Sequence, residues 1–230
     1  LQHQHPDEGF LTSVTYDIGL IGAQSDPYPL PTTLTAPWRV NYPRQFPDCT
    51  KWGGYFDTSC SPLNPHNRGH AFYAYGTLPV FMTRYLAVWT DQMGNLKLFG
   101  RQLSAVMDLL TIALLYLIAS RLYGKRVALL AAVFSSLAVL QIQQSHFYTS
   151  DLFTNFFIFL TIYFVVEIVS GQRTKFATDL GDLPEPRASL VEMIKRLVKE
   201  RDFILSALFG LAFGMAVASK LNAAPLALLL

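Results

Sequence analysis

The sequence predicts an all-α integral membrane protein, a multi-spanning helix bundle with a large extracytoplasmic first loop. Hydrophobic residues make up 51% of the 230 residues and charged residues only 15%, whereas soluble domains carry roughly 25% charged residues. Polar and proline-rich sequence is concentrated in residues 1–102, and long apolar runs follow it. An apolar helix satisfies its own backbone hydrogen bonds, as the hydrocarbon core of a membrane requires.

Five apolar segments are predicted to enter the membrane. The first, Leu103–Tyr123, contains one acidic residue. At 1.5 Å per residue it is about 31 Å long, which matches a hydrocarbon core of about 30 Å. Three segments make up a transmembrane region over 103–170, and two lie within 203–230. The other four segments are Val127–Ile142, Leu152–Ser170, Phe203–Ser219 and the run that begins at Ala223.

The distribution of basic residues predicts the orientation. Arg121, Lys125 and Arg126 cluster at the first short turn, whereas the next link, Ser145–Asp151, contains no Lys or Arg. Short cytoplasmic loops are enriched in Lys and Arg. The first turn and the loop 171–202 are therefore predicted to be cytoplasmic. Residues 1–102 are predicted to lie outside, because long translocated loops escape this rule.

Further helices are expected at the membrane surface and beyond the chain ends. Leu78–Trp89 is too short to span and is rich in aromatic residues, which suits an interfacial helix together with Arg84. Ser189–Arg201 has a helical apolar stripe opposite a basic face, as in an amphipathic surface helix. We expect an upstream membrane helix to end just before Leu1, and the run 223–230 to be an incomplete span.

The two cysteines and the net charge constrain other properties. Cys49 and Cys60 both lie in the polar first part. They could form a disulfide in an oxidising compartment or remain two free thiols, and their spacing matches no zinc motif. A net charge of +2, without a basic run interleaved with aromatics, argues against a nucleic-acid partner.

An acidic pair near the start of the chain is the first candidate for chemistry. Asp7 and Glu8 are adjacent, at the beginning of the large polar loop. A carboxylate there could act as a general base and take a proton from an acceptor hydroxyl that attacks an anomeric carbon. Acidic pairs are also common on solvated surfaces, so this pattern alone leaves both interpretations open.

Short motifs extend over nearly the whole chain. They are His5–Phe10, Asn64–Gly69, Tyr75–Pro79, Gly100–Ala105, Arg121–Gly124, Ser145–Phe147 with Asp151, and Gly210–Gly214 leading to Ser219 and Lys220. This ordered set resembles the GT-C glycosyltransferases, in particular bacterial enzymes similar to protein O-mannosyltransferases and aminoarabinose lipid A transferases.

The resemblance implies roles for the acidic pair and for a cation. The first acid of the family's pair is catalytic, which corresponds here to Asp7, and Glu8 would help to orient the acceptor or a bound cation. The implied donor is a polyprenyl-phosphate sugar, and a cation would stabilise the departing phosphate. Lys220 is the first candidate for that contact, although a lysine at a span end also snorkels to headgroups. Arg101 and Arg84 are the alternatives.

Other polar residues have weaker functional interpretations. His146 and Asp151 lie on the short outer link and could bind the acceptor, although Asp151 also suits the start of a helix. Asp108 is expected to pair with another helix, and Glu167, near the cytoplasmic end of its span, is expected to be structural. Several histidines and acids could face the same side, so a divalent cation is possible, but no residue is assigned as a metal ligand and no cofactor is implied with certainty.

Together with the apolar segments, the resemblance implies an inverting GT-C glycosyltransferase in a bacterial plasma membrane. It would transfer a sugar from a polyprenyl-phosphate carrier to a hydroxyl of a protein, lipid or glycan acceptor on the extracytoplasmic face. The other hypothesis is a non-enzymatic polytopic membrane protein, either a transporter or an assembly subunit. A transporter would show paired broken helices and a polar site at the membrane midplane.

Overall fold

A computed structural model describes residues 6–18, 63–178 and 201–229, and within these ranges the regular structure is entirely helical. Seven α-helices and three 3₁₀ helices are present in the described ranges. The α-helices are α1 (Pro6–Asp17), α2 (Leu78–Trp89), α3 (Leu96–Tyr123), α4 (Lys125–Ser136), α5 (Val139–Ser145), α6 (Ser150–Thr178) and α7 (Arg201–Ser219). The 3₁₀ helices are Pro65–Arg68, Met93–Asn95 and Leu221–Leu229. The predicted all-α class is confirmed.

The described residues form two compact units. The first contains residues from Leu1–Ser104 together with the short link His146–Ser150. The second contains residues from Ala105–Ser145 and Asp151–Leu230. Five residues, His146–Ser150, thus belong to the first unit although the segments on both sides of them belong to the second.

The first unit is built on α1 and α2. Leu11 and Val14 of α1 and Ile18 directly after it are at most 1% exposed, and their spacing of three and four residues places them on one side. A small core of Ala87, Met93 and Leu96 joins the end of α2 to the start of α3. This core fixes the position at which α3 begins.

Arg84 on α2 is only 1% exposed and donates to the carbonyl oxygen of Tyr16 at 2.9 Å. The alternative that Arg84 contacts a phosphate does not fit this burial, whereas the interfacial position of the helix stays a prediction. The exposed side chains of α2 are Tyr85 and Trp89, at 60% and 78%. They are one helical turn apart and so share a face.

The second unit contains long apolar helices. In the described part of the chain, three helices are long and apolar enough to cross a membrane: Met93–Tyr123, Ser150–Gly171 and Arg201–Ser219. A fourth crossing would come from α4 and α5 if this pair forms one span. The protein is therefore a multi-pass membrane protein.

The second predicted segment is a broken helix rather than one straight span. α4 and α5 meet at an angle of 61°. The break follows Ser135 and Ser136, and serine pairs are a recognised cause of kinks because their hydroxyls compete for backbone groups. The Ser136 hydroxyl donates to the carbonyl of Val133 at 2.9 Å, and Ser135 donates to Gln141 across the break at 2.7 Å.

Polar pairs connect the helices of the second unit. Asp108 accepts a hydrogen bond from Gln141 at 2.7 Å. Glu167 lies 2.7 Å from Arg121 and 2.8 Å from Arg201. Asp108 thus pairs with another helix, as expected from the sequence, and Glu167 joins α6 to two others. The cysteines and nearly all of the predicted amphipathic helix 189–201 lie outside the described residues.

Candidate active site

The acidic pair lies in the first turn of α1 rather than in a loop. Negative charge is favourable there because the first N–H groups of a helix carry a partial positive charge. Consecutive residues on a helix point about 100° apart. Accordingly Glu8 is fully buried, whereas Asp7 is half-buried.

Glu8 forms a bidentate ion pair with Arg101 of α3. The Nε and Nη2 atoms of Arg101 lie 2.5 and 2.8 Å from the two carboxylate oxygens, a geometry that is both strong and directional. Lys97 lies 3.7 Å from Oε2 of Glu8. Lys97 and Arg101 are four residues apart, so α3 presents both cations on one face.

The short link of the first unit supports this ion pair. The main-chain N–H of Tyr148 donates to Oε1 of Glu8 at 3.3 Å. The guanidinium of Arg101 lies over the ring of Phe147, 5.7 Å from its centroid, within the range of a cation–π contact. His146, a predicted binding residue, is exposed in the same link.

The surroundings of Glu8 keep it ionised. Burial by itself would raise its pKa. The Arg101 hydrogen bonds, the Tyr148 amide and the charges of Arg101 and Lys97 outweigh burial, and the net pKa of Glu8 is lowered.

Stability is consequently expected to fall in acid. A carboxyl whose pKa is lower in the folded protein contributes its full stabilisation at pH values above the ordinary pKa of 4.5. That contribution is lost as the pH falls below 4.5 and through the lower pKa of the folded state. Thermal unfolding in detergent between pH 7 and 3 should show the loss, and Glu8→Gln should flatten the curve. An equally steep acid limb in Glu8→Gln would assign the effect to other carboxyls.

A groove lies beside the ion pair within the first unit. Its volume is about 490 Å³, within the range of small-molecule sites. Thr12 and Tyr16 of α1 form one wall, and Lys97 and Arg101 of α3 form the other, with residues 93–98 completing the lining. Lys97 and Arg101 together carry two positive charges, and the buried Glu8 carboxylate that lies against them carries one negative charge. The α3 wall of the groove therefore has a net positive charge, which suits an anionic group.

Lys220 and Asp151 belong to the second unit and contact each other. Nζ of Lys220 lies 2.6 Å from Oδ1 of Asp151, with side chains 30% and 48% exposed. Lys220 directly follows α7, and Asp151 lies in the first turn of α6. Asp151 thus has the position expected of an acidic residue at the start of a helix. Its carboxylate also contacts Lys220, the residue predicted to bind the donor phosphate.

Several site contacts were not predicted. His70 contacts Asp17 at the end of α1, at 2.8 Å, and both side chains are buried. Tyr148 is completely buried. The contact of Lys97 could have been found from its spacing to Arg101. No local sequence pattern identifies the His70–Asp17 contact or the burial of Tyr148. Among residues 6–18, 63–178 and 201–229, no group of three or more His, Cys, Asp or Glu side chains is arranged to hold a metal ion.

Residues 79–182 match the family model described as dolichyl-phosphate-mannose-protein mannosyltransferase. This chain is similar to GT-C glycosyltransferases. The matched range covers slightly less than half of the chain and supports a mannosyltransferase-type activity, which confirms the resemblance inferred from the motifs. Neither the comparison with curated proteins nor the comparison with solved structures gives a match.

The matched range divides the candidate residues of the GT-C-like chain. Arg101, His146 and Asp151 lie inside it, whereas the acidic pair and Lys220 lie outside. The roles of Asp7, Glu8 and Lys220 therefore depend on the motifs and on geometry.

Proposed function

We propose that this GT-C-like chain catalyses inverting transfer of a sugar from a polyprenyl-phosphate carrier to a hydroxyl acceptor on the extracytoplasmic face of a bacterial plasma membrane. The observation that supports this most is the half-buried Asp7 carboxylate next to Glu8, whose ion pair with Arg101 borders a cationic groove. An acid and a cationic wall in one unit suit a reaction in which a hydroxyl loses a proton and a phosphate departs.

Asp7 would act as the general base. Its carboxylate takes the proton of the acceptor hydroxyl as that oxygen attacks the anomeric carbon. The bond from the anomeric carbon to the phosphate oxygen breaks, and the polyprenyl phosphate leaves with the bonding electrons. Attack opposite the leaving group inverts the configuration. Glu8 would hold the first turn of α1 in place through Arg101.

The departing phosphate needs a nearby positive charge. In the first unit the groove offers Lys97, which is 36% exposed, and Arg101. In the second unit the candidate is Lys220, with Asp151 as its partner. His146, exposed in the short link, would contact the acceptor.

Lys220→Met is expected to weaken donor binding. Loss of one charged contact to phosphate, worth about 1.4 kcal/mol or more, raises the donor KM about tenfold and leaves the acceptor KM unchanged. Initial rates at varied donor concentration would measure this. Lys125→Met is the matched control, because Lys125 is exposed at the start of α4. An unchanged donor KM would restrict Lys220 to its contact with Asp151.

The transfer reaction itself can be tested with the full-length protein in membranes. Radiolabelled polyprenyl-phosphate sugars, mannose first because of the matched family, would be offered with protein, glycan and lipid acceptors. Label transferred to an acceptor supports the proposal and identifies donor and acceptor classes. Parallel reactions with and without EDTA would test for a divalent cation. Absence of transfer with every donor would contradict the proposal.

One observation favours a transporter as the second candidate. α4 and α5 form a broken helix, and Gln141 just after the break binds Asp108 of α3. Broken helices with intramembrane polar groups are typical of secondary transporters. Solute or lipid-linked sugar uptake into vesicles, in a protein that transfers no label, would favour this function.

The proposed orientation depends on whether the broken helix crosses the membrane. Single cysteines at Lys125 and Gln143, with Cys49 and Cys60 replaced by serine, would be labelled with a membrane-impermeant thiol reagent. We expect Gln143→Cys to react from outside and Lys125→Cys only after the membrane is opened. Labelling of both from the same side would show that α4 and α5 do not cross, and would reverse the predicted side of every later segment.

A further inference from the structure

Gly100 on α3 leaves room for the ring of Tyr148. A Cβ atom added at Gly100 would lie 2.5 Å from Cγ and 3.0 Å from Cβ of Tyr148. These atoms are close to the Tyr148 backbone, so a rotation of the side chain about its outer bonds cannot relieve the contact. Any residue larger than glycine would therefore push the link 146–150 away from α3.

Tyr148 also has a defined hydrogen-bonding position. Its hydroxyl lies 3.0 Å from the Thr15 hydroxyl and donates to the carbonyl of Pro79 at 3.4 Å. Burial is the main reason that the pKa of Tyr148 rises to about 12, so its hydroxyl remains protonated. The ring thus connects α1, the start of α2 and α3.

The same dipeptide touches both partners of the Glu8–Arg101 ion pair. The N–H of Tyr148 binds the Glu8 carboxylate, and the ring of Phe147 lies against the Arg101 guanidinium. Arg101 lines the groove and is 23% exposed, so without further contacts its guanidinium could take up other rotamers. A support on each partner restricts both to one arrangement, at the cost of ordering a short link.

We propose that Tyr148, seated against Gly100, and its neighbour Phe147 are positioning residues that hold the Glu8–Arg101 ion pair and thereby the first turn of α1, including Asp7. This inference rests on the proposed function. Neither residue touches the reacting atoms in this assignment. The link acts through Glu8 and Arg101, and its displacement misplaces the base without removing it.

The experiment compares Gly100→Ala with the wild-type full-length protein in membranes. The kcat should fall about 10- to 100-fold, as expected for a misplaced catalytic group. Tyr148→Ala removes the ring, so adding Gly100→Ala to it should cause no further loss. Gly210→Ala is the control, because a Cβ at Gly210 meets nothing within 4 Å; it should keep the wild-type kcat.

Hydrogen exchange provides a readout that does not depend on activity. In Gly100→Ala, peptides covering residues 6–12 and 146–150 should exchange faster, whereas peptides of α7 should not change. An unchanged kcat in Gly100→Ala, or unchanged exchange in both peptides, would overturn the inference. So would a Gly100→Ala substitution that lowers kcat by the same factor in the wild type and in Tyr148→Ala. If wild type transfers no sugar, the proposed function fails, and the exchange result alone decides whether the link holds α1.

Discussion

Asp7→Asn is expected to lower the rate of sugar transfer by about 10²–10⁴-fold, the usual contribution of a general base. The amide keeps the size of the side chain but cannot accept the proton of the acceptor hydroxyl. Asp7 is half-buried next to the Glu8–Arg101 pair, so the substitution should leave that pair intact. Donor and acceptor KM should change little, because binding is retained while the transition state loses its base.

Asp91→Asn is the control for this experiment. Asp91 is exposed in the turn after α2 and has a φ of 56°, a conformation that asparagine tolerates as readily as aspartate. Its transfer rate should equal that of the wild type at matched expression. If Asp7→Asn also keeps the wild-type rate, Asp7 is not the base, and the acidic pair has only a structural role.

Arg101→Met is expected to destabilise the first unit by about 3–5 kcal/mol, the typical effect of removing one partner of a buried ion pair. Methionine keeps much of the apolar stem and leaves the fully buried Glu8 without its bidentate partner. Lys97, at 3.7 Å, is too distant for a direct hydrogen bond to that carboxylate. Thermal unfolding of the purified full-length protein, followed together with hydrogen exchange of residues 6–18, would measure the loss.

Lys97→Met and a double variant test whether the loss of stability in Arg101→Met comes from the unpaired Glu8 carboxylate. Lys97 is 36% exposed, and such a peripheral charge typically contributes about 1 kcal/mol or less. Combining Arg101→Met with Glu8→Gln should recover part of the stability, because the unpaired buried charge is removed. A loss in Lys97→Met as large as that in Arg101→Met, or no recovery in the double variant, would show that the bidentate pair is not the main stabilising contact.

Helix ends were harder to predict than helix class. The first span was predicted to start at Leu103, but α3 begins at Leu96. The polar residues Lys97, Arg101 and Gln102 were placed in the loop 1–102, but Lys97 and Arg101 lie on successive turns of α3 and contact Glu8. The break between α4 and α5 was also missed, because it depends on serine hydroxyls that bond to particular carbonyls and side chains.

The site residues Asp7, Glu8, Arg101, His146, Asp151 and Lys220 were selected from motifs and from their places in the chain, and their roles stay predictions. The motifs did not indicate that Glu8 and Arg101 are partners, since they are 93 positions apart in the chain. They also did not indicate that Lys220 contacts Asp151, 69 positions away. Arg84 was an alternative for the phosphate contact, but its side chain is buried and donates to the main-chain carbonyl of Tyr16.

By itself the sequence determined the helical class, the membrane location and the resemblance to GT-C glycosyltransferases, because these depend on composition, apolar run length and short local motifs. The tertiary structure alone decided that Glu8 is buried against Arg101 and that Tyr148 fits against Gly100. Those contacts join residues that are distant in the chain. Burial and pairing depend on which helix faces meet, and no periodicity within one segment specifies its partner in another.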